Sequence, residues 1–307
     1  MKFGIKLPNC AGVICDPDLA RPEHIDAIAK TAEALGYDSV WLHDHLATPD
    51  ELRPLSQPDF YEPLMVMGRL AALTSRLRLG VATVILPLRD PVLVAKQVAT
   101  VDGFAPGRVI LGVGAGRYED EFLSLGSDAY PARGRITDEY IRIIRALWRD
   151  DEVTFSGTYR TLARAKVYPK PQTPPPIWIG GNSEAAIRRA ARVGDGWVPA
   201  ALTVEEVAAG RRQLEETARR HDRDPGRLEI GLSLTVELTR PGRETARSLH
   251  GHPSSKRVAG EPEQVIERLQ EYGGAGVSTF LLSFSARDVA ETVEHMAAFA
   301  EQIVQLQ

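Results

Sequence analysis

Only two of the 307 residues are cysteine, Cys10 and Cys15, and both fall in one short stretch of chain. Two thiols so placed, with no further cysteine or clustered histidine, offer neither a disulfide framework nor a zinc-type ligand set; they fit reduced thiols in a cytoplasmic protein. Charge of neither sign dominates: 37 Lys and Arg stand against 41 Asp and Glu, for a formal net charge of −4. That balance argues against nucleic acid or an anionic membrane surface as the main partner. No apolar run is long enough to span a bilayer, and residues 1–5 lead directly into an expected strand rather than a leader. The chain also lacks a Gly-x-Ser-x-Gly elbow and a P-loop, which removes the sequence support for a serine hydrolase or a P-loop nucleotidase.

What remains is 43% hydrophobic and 25% charged, the composition of a globular protein with a sizeable core. Short apolar runs alternate with helical patterns throughout. Strands are expected at residues 3–7, 39–42, 77–86, 108–113, 177–179, 196–200, 228–238 and 277–283, each followed by an amphipathic helix. Alternating β and α with short connections predicts a parallel sheet with right-handed crossovers. Eight repeats at this length predict closure into a (β/α)8 TIM barrel, one domain over residues 1–307. Residues 151–175 and 240–260 depart from the pattern and are read as insertion segments at the C-terminal face. The first contains Ser156-Gly157-Thr158 between two β-rich runs, which predicts a hairpin. The second is polar, basic and rich in Pro and Gly; with residues 46–62 it is a lid candidate.

In such a barrel the site lies where the strands end, and four unusual stretches sit there. His43-Asp44-His45 follows the second strand and sets a carboxylate beside an imidazole, a pair suited to moving a proton. As a metal site it has two possible histidine ligands and no evident third, so none is assigned. Thr83 and Val84 lie in the third strand. Gly112-Val113-Gly114-Ala115-Gly116 ends the fourth but does not fit a dinucleotide fingerprint, because Arg117 occupies the required glycine position. The bare backbone suggests instead that a flat ligand lies against it, with Arg117 and Glu121 available to substrate or cofactor. Gly180-Gly181-Asn182-Ser183 leads from the fifth strand into a helix whose N-terminal amides form a ready anion site, with Asn182 or Ser183 as cap.

Taken together the chain resembles the luciferase-like monooxygenase superfamily over nearly its whole length. The resemblance rests on Gly36-Tyr37-Asp38-Ser39-Val40-Trp41 with Asp44-His45, on Leu86-Pro87-Leu88-Arg89-Asp90-Pro91, on residues 107–116 with Glu121-Phe122, on residues 177–184, and on Gly194-Asp195-Gly196-Trp197. Within the superfamily it is most similar to the branch of coenzyme F420-dependent oxidoreductases. The resemblance implies a deazaflavin ring in the barrel mouth, backed by a bulge in the third strand with a non-prolyl cis peptide at Thr83–Val84. It implies a cofactor phosphate on Gly180, Gly181, Asn182 and Ser183, with Gly114 and Arg117 also toward the cofactor, and His45 with Asp44 as the catalytic pair. Sugar-phosphate dehydrogenases of this superfamily place a catalytic glutamate where this chain has Arg117. That departure argues against the same oxidation and leaves the substrate's proton-handling residue unassigned.

The implied activity is hydride transfer between F420 and a small organic substrate, with a separate flavin or F420 reductase as the source of reduced cofactor. The alternative is an FMN-dependent two-component monooxygenase using reduced flavin and O2. A non-catalytic flavin-binding barrel is a reading of another class, as is a barrel enzyme without a redox cofactor. Against the last, no lysine stands at the end of the sixth strand for a Schiff base. Met65-Val66-Met67 is compatible with a homodimer face or with the core.

Overall fold

The computed structural model describes residues 1–10, 20–52, 60–239, 257–286 and 288–304. The strands are β1 (Lys2–Lys6), β2 (Ser39–Leu42), β3 (Arg78–Val81), β4 (Val84–Ile85), β5 (Val109–Gly114), β6 (Val153–Ser156), β7 (Thr161–Ala165), β8 (Ile177–Gly180), β9 (Gly196–Val198), β10 (Glu229–Leu238), β11 (Arg257–Gly260) and β12 (Thr279–Phe284). The helices are α1 (Pro22–Ala34), α2 (Pro63–Leu73), α3 (Pro91–Phe104), α4 (Glu119–Ser124), α5 (Arg133–Arg149), α6 (Glu184–Val193), α7 (Val204–Arg220), α8 (Pro262–Gly274) and α9 (Val289–Val304). Their starts follow local chemistry. Proline occupies the first turn of α1, α2, α3 and α8, where its missing N–H has no helical partner to lose. Asp90 caps α3 through the amides of Val92 and Leu93, and Thr203 forms a capping box with Glu206 on α7.

All pairings among the barrel strands are parallel, in the order β1-β2-β3-β5-β8-β9-β10-β12, and β12 pairs back onto β1. The expected eight-stranded (β/α)8 barrel is therefore closed. Its third stave is not the continuous strand expected over 77–86. It breaks into β3 and β4, and the non-prolyl cis peptide lies at Ala82–Thr83, one bond earlier than expected at Thr83–Val84. The break leaves β3 on β5 at Leu79–Val109 and resumes it at Val84–Val113, with Thr83 standing out between the two halves.

Side chains alternate along each strand. Phe3 and Ile5 face outward into the large core between staves and helices, as do Phe280 and Leu282. A separate inner cluster of Trp41, Ile110, Trp178, Val198 and Leu281 fills the lumen. Trp41 and Trp178 are fully buried, with ring centroids 5.4 Å apart. The barrel is thus solid below the level of these two rings.

The expected hairpin is present as antiparallel β6 and β7. Glu139 of α5 ties it down by accepting the amides of Thr158, Tyr159 and Arg160 at 2.8–2.9 Å. Residues 240–256, most of the second insertion, lie outside the described residues, as do residues 53–59 of the first lid candidate and Cys15. The end of the second insertion is not loop: Arg257–Gly260 forms β11, which extends the sheet beside the upper part of β10. Among the described residues no helix is long and apolar enough to cross a membrane.

Candidate active site

The strand ends converge on a cavity of about 820 Å³, within the size range of small-molecule and cofactor sites. Its lining brings together His43, Asp44, His45, Thr83, Gly114, Arg117, Gly180, Gly181, Asn182 and Ser183. Val84 is the exception among the expected residues. It is fully buried in the outer core, on the far face of the stave from Thr83.

The bulged third stave explains three glycines of the neighbouring strands. A Cβ on Gly114 would stand 2.5 Å from Thr83 Oγ1, and one on Gly180 would stand 2.4 Å from Thr83 Cγ2. A Cβ on Gly112 would meet the Val81 carbonyl oxygen at 1.9 Å. These glycines make room for the bulged third stave first; Gly114 and Gly180 then present what remains of their backbone to the cavity.

His45 and Asp44 are not partners in the structure. His45 Nδ1 lies 2.9 Å from Glu121 Oε2, and the Leu46 amide donates to Glu121 Oε1 at 3.0 Å. Phe60 meets the imidazole edge-on and Tyr118 tilts against it, which fixes the ring plane. With Nδ1 engaged, Nε2 is the nitrogen left for a ligand. Asp44 is instead a structural anchor: its oxygens accept the Ile85 amide at 2.9 Å and the Arg89 guanidinium at 2.7 and 3.2 Å. Arg89 also donates to Glu62 Oε1 at 2.8 Å, so β2, β4 and the cap of α2 are bound into one network. The dipeptide Asp44-His45 carries two functions in two directions, as neighbouring residues on extended chain do.

At the end of β8, Ser183 caps α6 by accepting the Ala186 amide, while Asn182 clamps both backbone groups of Ala200 at 2.8 and 2.9 Å. Gly181 adopts φ +119°, a conformation that side-chain-bearing residues avoid, and its carbonyl accepts Trp197 Nε1. The amides of residues 182–185 precede the first intrahelical bond of α6, where backbone donors have no helical acceptor, and Asn182, Ser183 and Ala185 line the cavity. Arg133 and Arg189 line the same end. Arg189 is held by Asp138 Oδ1 and the Gly134 carbonyl, and Arg133 by the Gly116 and Tyr130 carbonyls. Amides, a helix N-terminus and guanidinium groups are donors of the kind that suit an anion such as phosphate. Arg117, by contrast, is 74% exposed at the rim and pairs with Glu51 at 3.2 Å.

Sequence reasoning missed Lys6, Arg133 and Arg189. A signal for Lys6 was present: Phe3 and Ile5 define the outward face of β1, so Lys6 had to point inward. Burial there lowers its pKa to about 8, offset in part by nearby Cys10. The two arginines lie on helices, where nothing in the local pattern distinguishes a cavity-facing guanidinium from a solvated one. No group of three or more His, Cys, Asp or Glu side chains among the described residues is placed to hold a metal ion.

Comparison with known proteins adds a family. The profile of the luciferase-like monooxygenase family matches residues 1–257. An uncharacterised protein of Mycobacterium tuberculosis is 37% identical over 183 residues, 56% of this chain; the match spans 63% of the relative's own length. An F420-dependent glucose-6-phosphate dehydrogenase of Nakamurella multipartita is 31% identical over 234 residues, covering 73% of this chain and 67% of the relative. Among solved structures, an F420-dependent secondary alcohol dehydrogenase in complex with an F420-acetone adduct superposes with a TM-score of 0.84 at 23% identity, covering 100% of this chain and 99% of the other. A monooxygenase from Streptomyces bottropensis gives 0.81 at 24% identity, covering 100% and 99%. These structural likenesses establish a shared fold.

Proposed function

The chain belongs to the luciferase-like monooxygenase family, and from that premise we propose that it is an oxidoreductase exchanging a hydride between coenzyme F420 and a small organic substrate. The observation that carries the proposal is the donor set at the start of α6, where free amides, Arg133 and Arg189 meet the cavity beside the Thr83 bulge. A deazaflavin carries a phosphate on its side chain and a flat ring system, and the described residues fit both. The phosphate is assigned to Gly181, Asn182, Ser183 and the two arginines, and the ring to the wall made by Thr83, Gly114 and Gly180. Relatives named as F420-dependent enzymes support the choice of cofactor.

The cofactor supplies a carbon-centred hydride donor or acceptor; the protein supplies orientation, exclusion of water and a proton. His45 is the candidate for the proton, through Nε2, with Glu121 fixing the ring through Nδ1. Arg117 is a permanent cation, turned to solvent and paired with Glu51, and cannot take the part of a catalytic carboxylate, so a substrate other than a sugar phosphate is favoured despite the names of several relatives. The reading treats the chain as one barrel domain, with 151–175 and 240–260 as its insertions. A second copy is a reasonable partner, since Met65 on α2 is exposed while Met67 is in the core.

The test is a fluorescence titration of the purified protein with F420 and, in parallel, with FMN. Preference for F420 supports the proposal; preference for FMN moves the protein to the oxygen-using chemistry of its family, and binding of neither defeats both. Gly181→Val is expected to weaken F420 at least tenfold, because a β-branched residue cannot hold the required φ without moving the amides. An unchanged affinity would remove the phosphate site from this turn. His45→Ala is expected to lower turnover by about 100-fold, the usual worth of a positioned acid or base, while leaving F420 affinity within a few-fold. Glu121→Gln should reproduce part of that loss, since it loosens the hold on Nδ1; collapse of binding instead would make the ring contact its real role.

A further inference from the structure

We propose that Lys6, with Ser233 and Ser283, is a receptor for a carboxylate on the substrate, so that the substrates of this enzyme are small carboxylate-bearing carbonyl compounds or the matching hydroxy acids. The inference deepens the proposed function: that the carboxylate belongs to a substrate rests on the hydride-transfer reading, whereas the anion site itself does not.

The argument begins with strand parity. Gly4 and Lys6 share the inward face of β1, and a Cβ on Gly4 would touch Trp41 Nε1 at 2.7 Å, so Lys6 stands one layer above the tryptophan floor. Lys6 pairs in register with Trp41 on one side. On the other side the β1–β12 pairing runs to Ile5–Leu282, and Lys6 and Ser283 are the next residues along it. Ser283 shares its face with Leu281 of the inner cluster, and its Oγ is buried with no hydrogen-bond partner among the described residues. Ser233, beside Leu281 on β10, lines the cavity with Lys6. The floor of the mouth therefore presents an ammonium and the Ser233 hydroxyl, with the unpartnered Ser283 hydroxyl buried just behind the lining on the next stave.

Among the described residues no unpaired carboxylate stands at this level. The cavity lining includes one carboxylate, Asp44, and Arg89 already occupies it. Of the other charged or titratable groups near Lys6, His43 lines the same cavity, Cys10 lies at the start of the next loop, and Glu237, higher on β10, is paired with Arg257 at 2.7 Å. A half-buried ammonium with no carboxylate beside it is less favourable than one completed by an anionic ligand. One cation with two hydroxyls matches a carboxylate better than a phosphate dianion, which is served at the opposite end by two arginines and a helix terminus. An anion bound here favours the charged lysine, so complex formation near and above pH 8 must take up protons.

The experiment is calorimetric titration of the full-length protein at pH 8.5, with and without F420, using pyruvate, acetone and inorganic phosphate as probes. Two buffers of different ionisation enthalpy report proton uptake independently of turnover. Pyruvate is expected to bind at least tenfold more tightly than acetone, with fractional proton uptake. Lys6→Met should abolish that preference. Lys6→Arg should keep the preference and lose the uptake, because arginine does not titrate in this range. Equal binding of pyruvate and acetone, unchanged preference in Lys6→Met, or phosphate binding in place of pyruvate would each overturn the assignment. Should F420 bind while pyruvate shows no preference, the carboxylate receptor falls and the cofactor reading stands; pyruvate selectivity without F420 binding gives the reverse.

Discussion

Replacing Asp44 by alanine is expected to cost about 3–5 kcal/mol of stability, the range found when one partner of a buried ion pair is removed. Its side chain is wholly buried, and it satisfies both the Arg89 guanidinium and the Ile85 amide. Removal strands a cation that is itself 10% exposed and leaves a backbone donor without its acceptor at the end of β4. Glu62 would retain Arg89 at one nitrogen, which limits the loss without cancelling it. Chemical denaturation followed by circular dichroism measures the effect directly. The contrast with His45→Ala is the useful part: that variant should melt close to the parent and fail in turnover. A stable, slow Asp44→Ala would return the carboxylate to the catalytic pair in which the sequence placed it.

Gly112→Ala is the second large effect, and it acts through one added methyl group. The new Cβ would lie 1.9 Å from the Val81 carbonyl oxygen, a backbone atom in the adjacent stave that no rotamer change can move aside. Relief requires separating β3 from β5 beside the Thr83 bulge. Overpacking ordinarily costs about 1–3 kcal/mol, and a clash with fixed backbone belongs at or above the top of that range. A loss of about 3 kcal/mol or more, or failure to accumulate folded protein, is the expected result. Gly68→Ala on α2 is the control, since nothing lies within 4 Å of its Cβ position. There a gain of about 0.5–1 kcal/mol is expected from helix propensity. Equal melting of the two variants would show that the third stave yields more easily than its packing suggests.

These two positions also show what could and could not be read from sequence. The barrel was legible because strand and helix periods differ and most helices announce themselves with a proline or a cap, α4 and α5 being the exceptions. The Gly180-Gly181-Asn182-Ser183 turn was legible for the same reason, and the structure divides its tasks: Ser183 caps while Asn182 braces the next loop. The break in the third stave left no mark in the pattern of residues 77–86, which read as one apolar run; the bulge and its cis bond came only through the family resemblance, one bond away from where they stand at Ala82–Thr83. Nor was the partner of His45. Proximity in sequence suggested Asp44, but Glu121 arrives from 76 positions away on α4. Only the closure of the barrel decides which carboxylate an imidazole meets.

The tryptophan pair at the floor bears on kinetics as well as packing. Trp41 and Trp178 stop the lumen, so the mouth is a cup and everything that reaches its walls comes and goes over one rim. A ligand seated low, against Lys6, is then beneath any larger ligand seated along the wall. Whichever goes in first governs the traffic of the other. Steady-state rates at varied concentrations of both reactants should show compulsory order, with an excess of the late-entering ligand blocking exchange of the early one. A barrel open at both ends would permit random order.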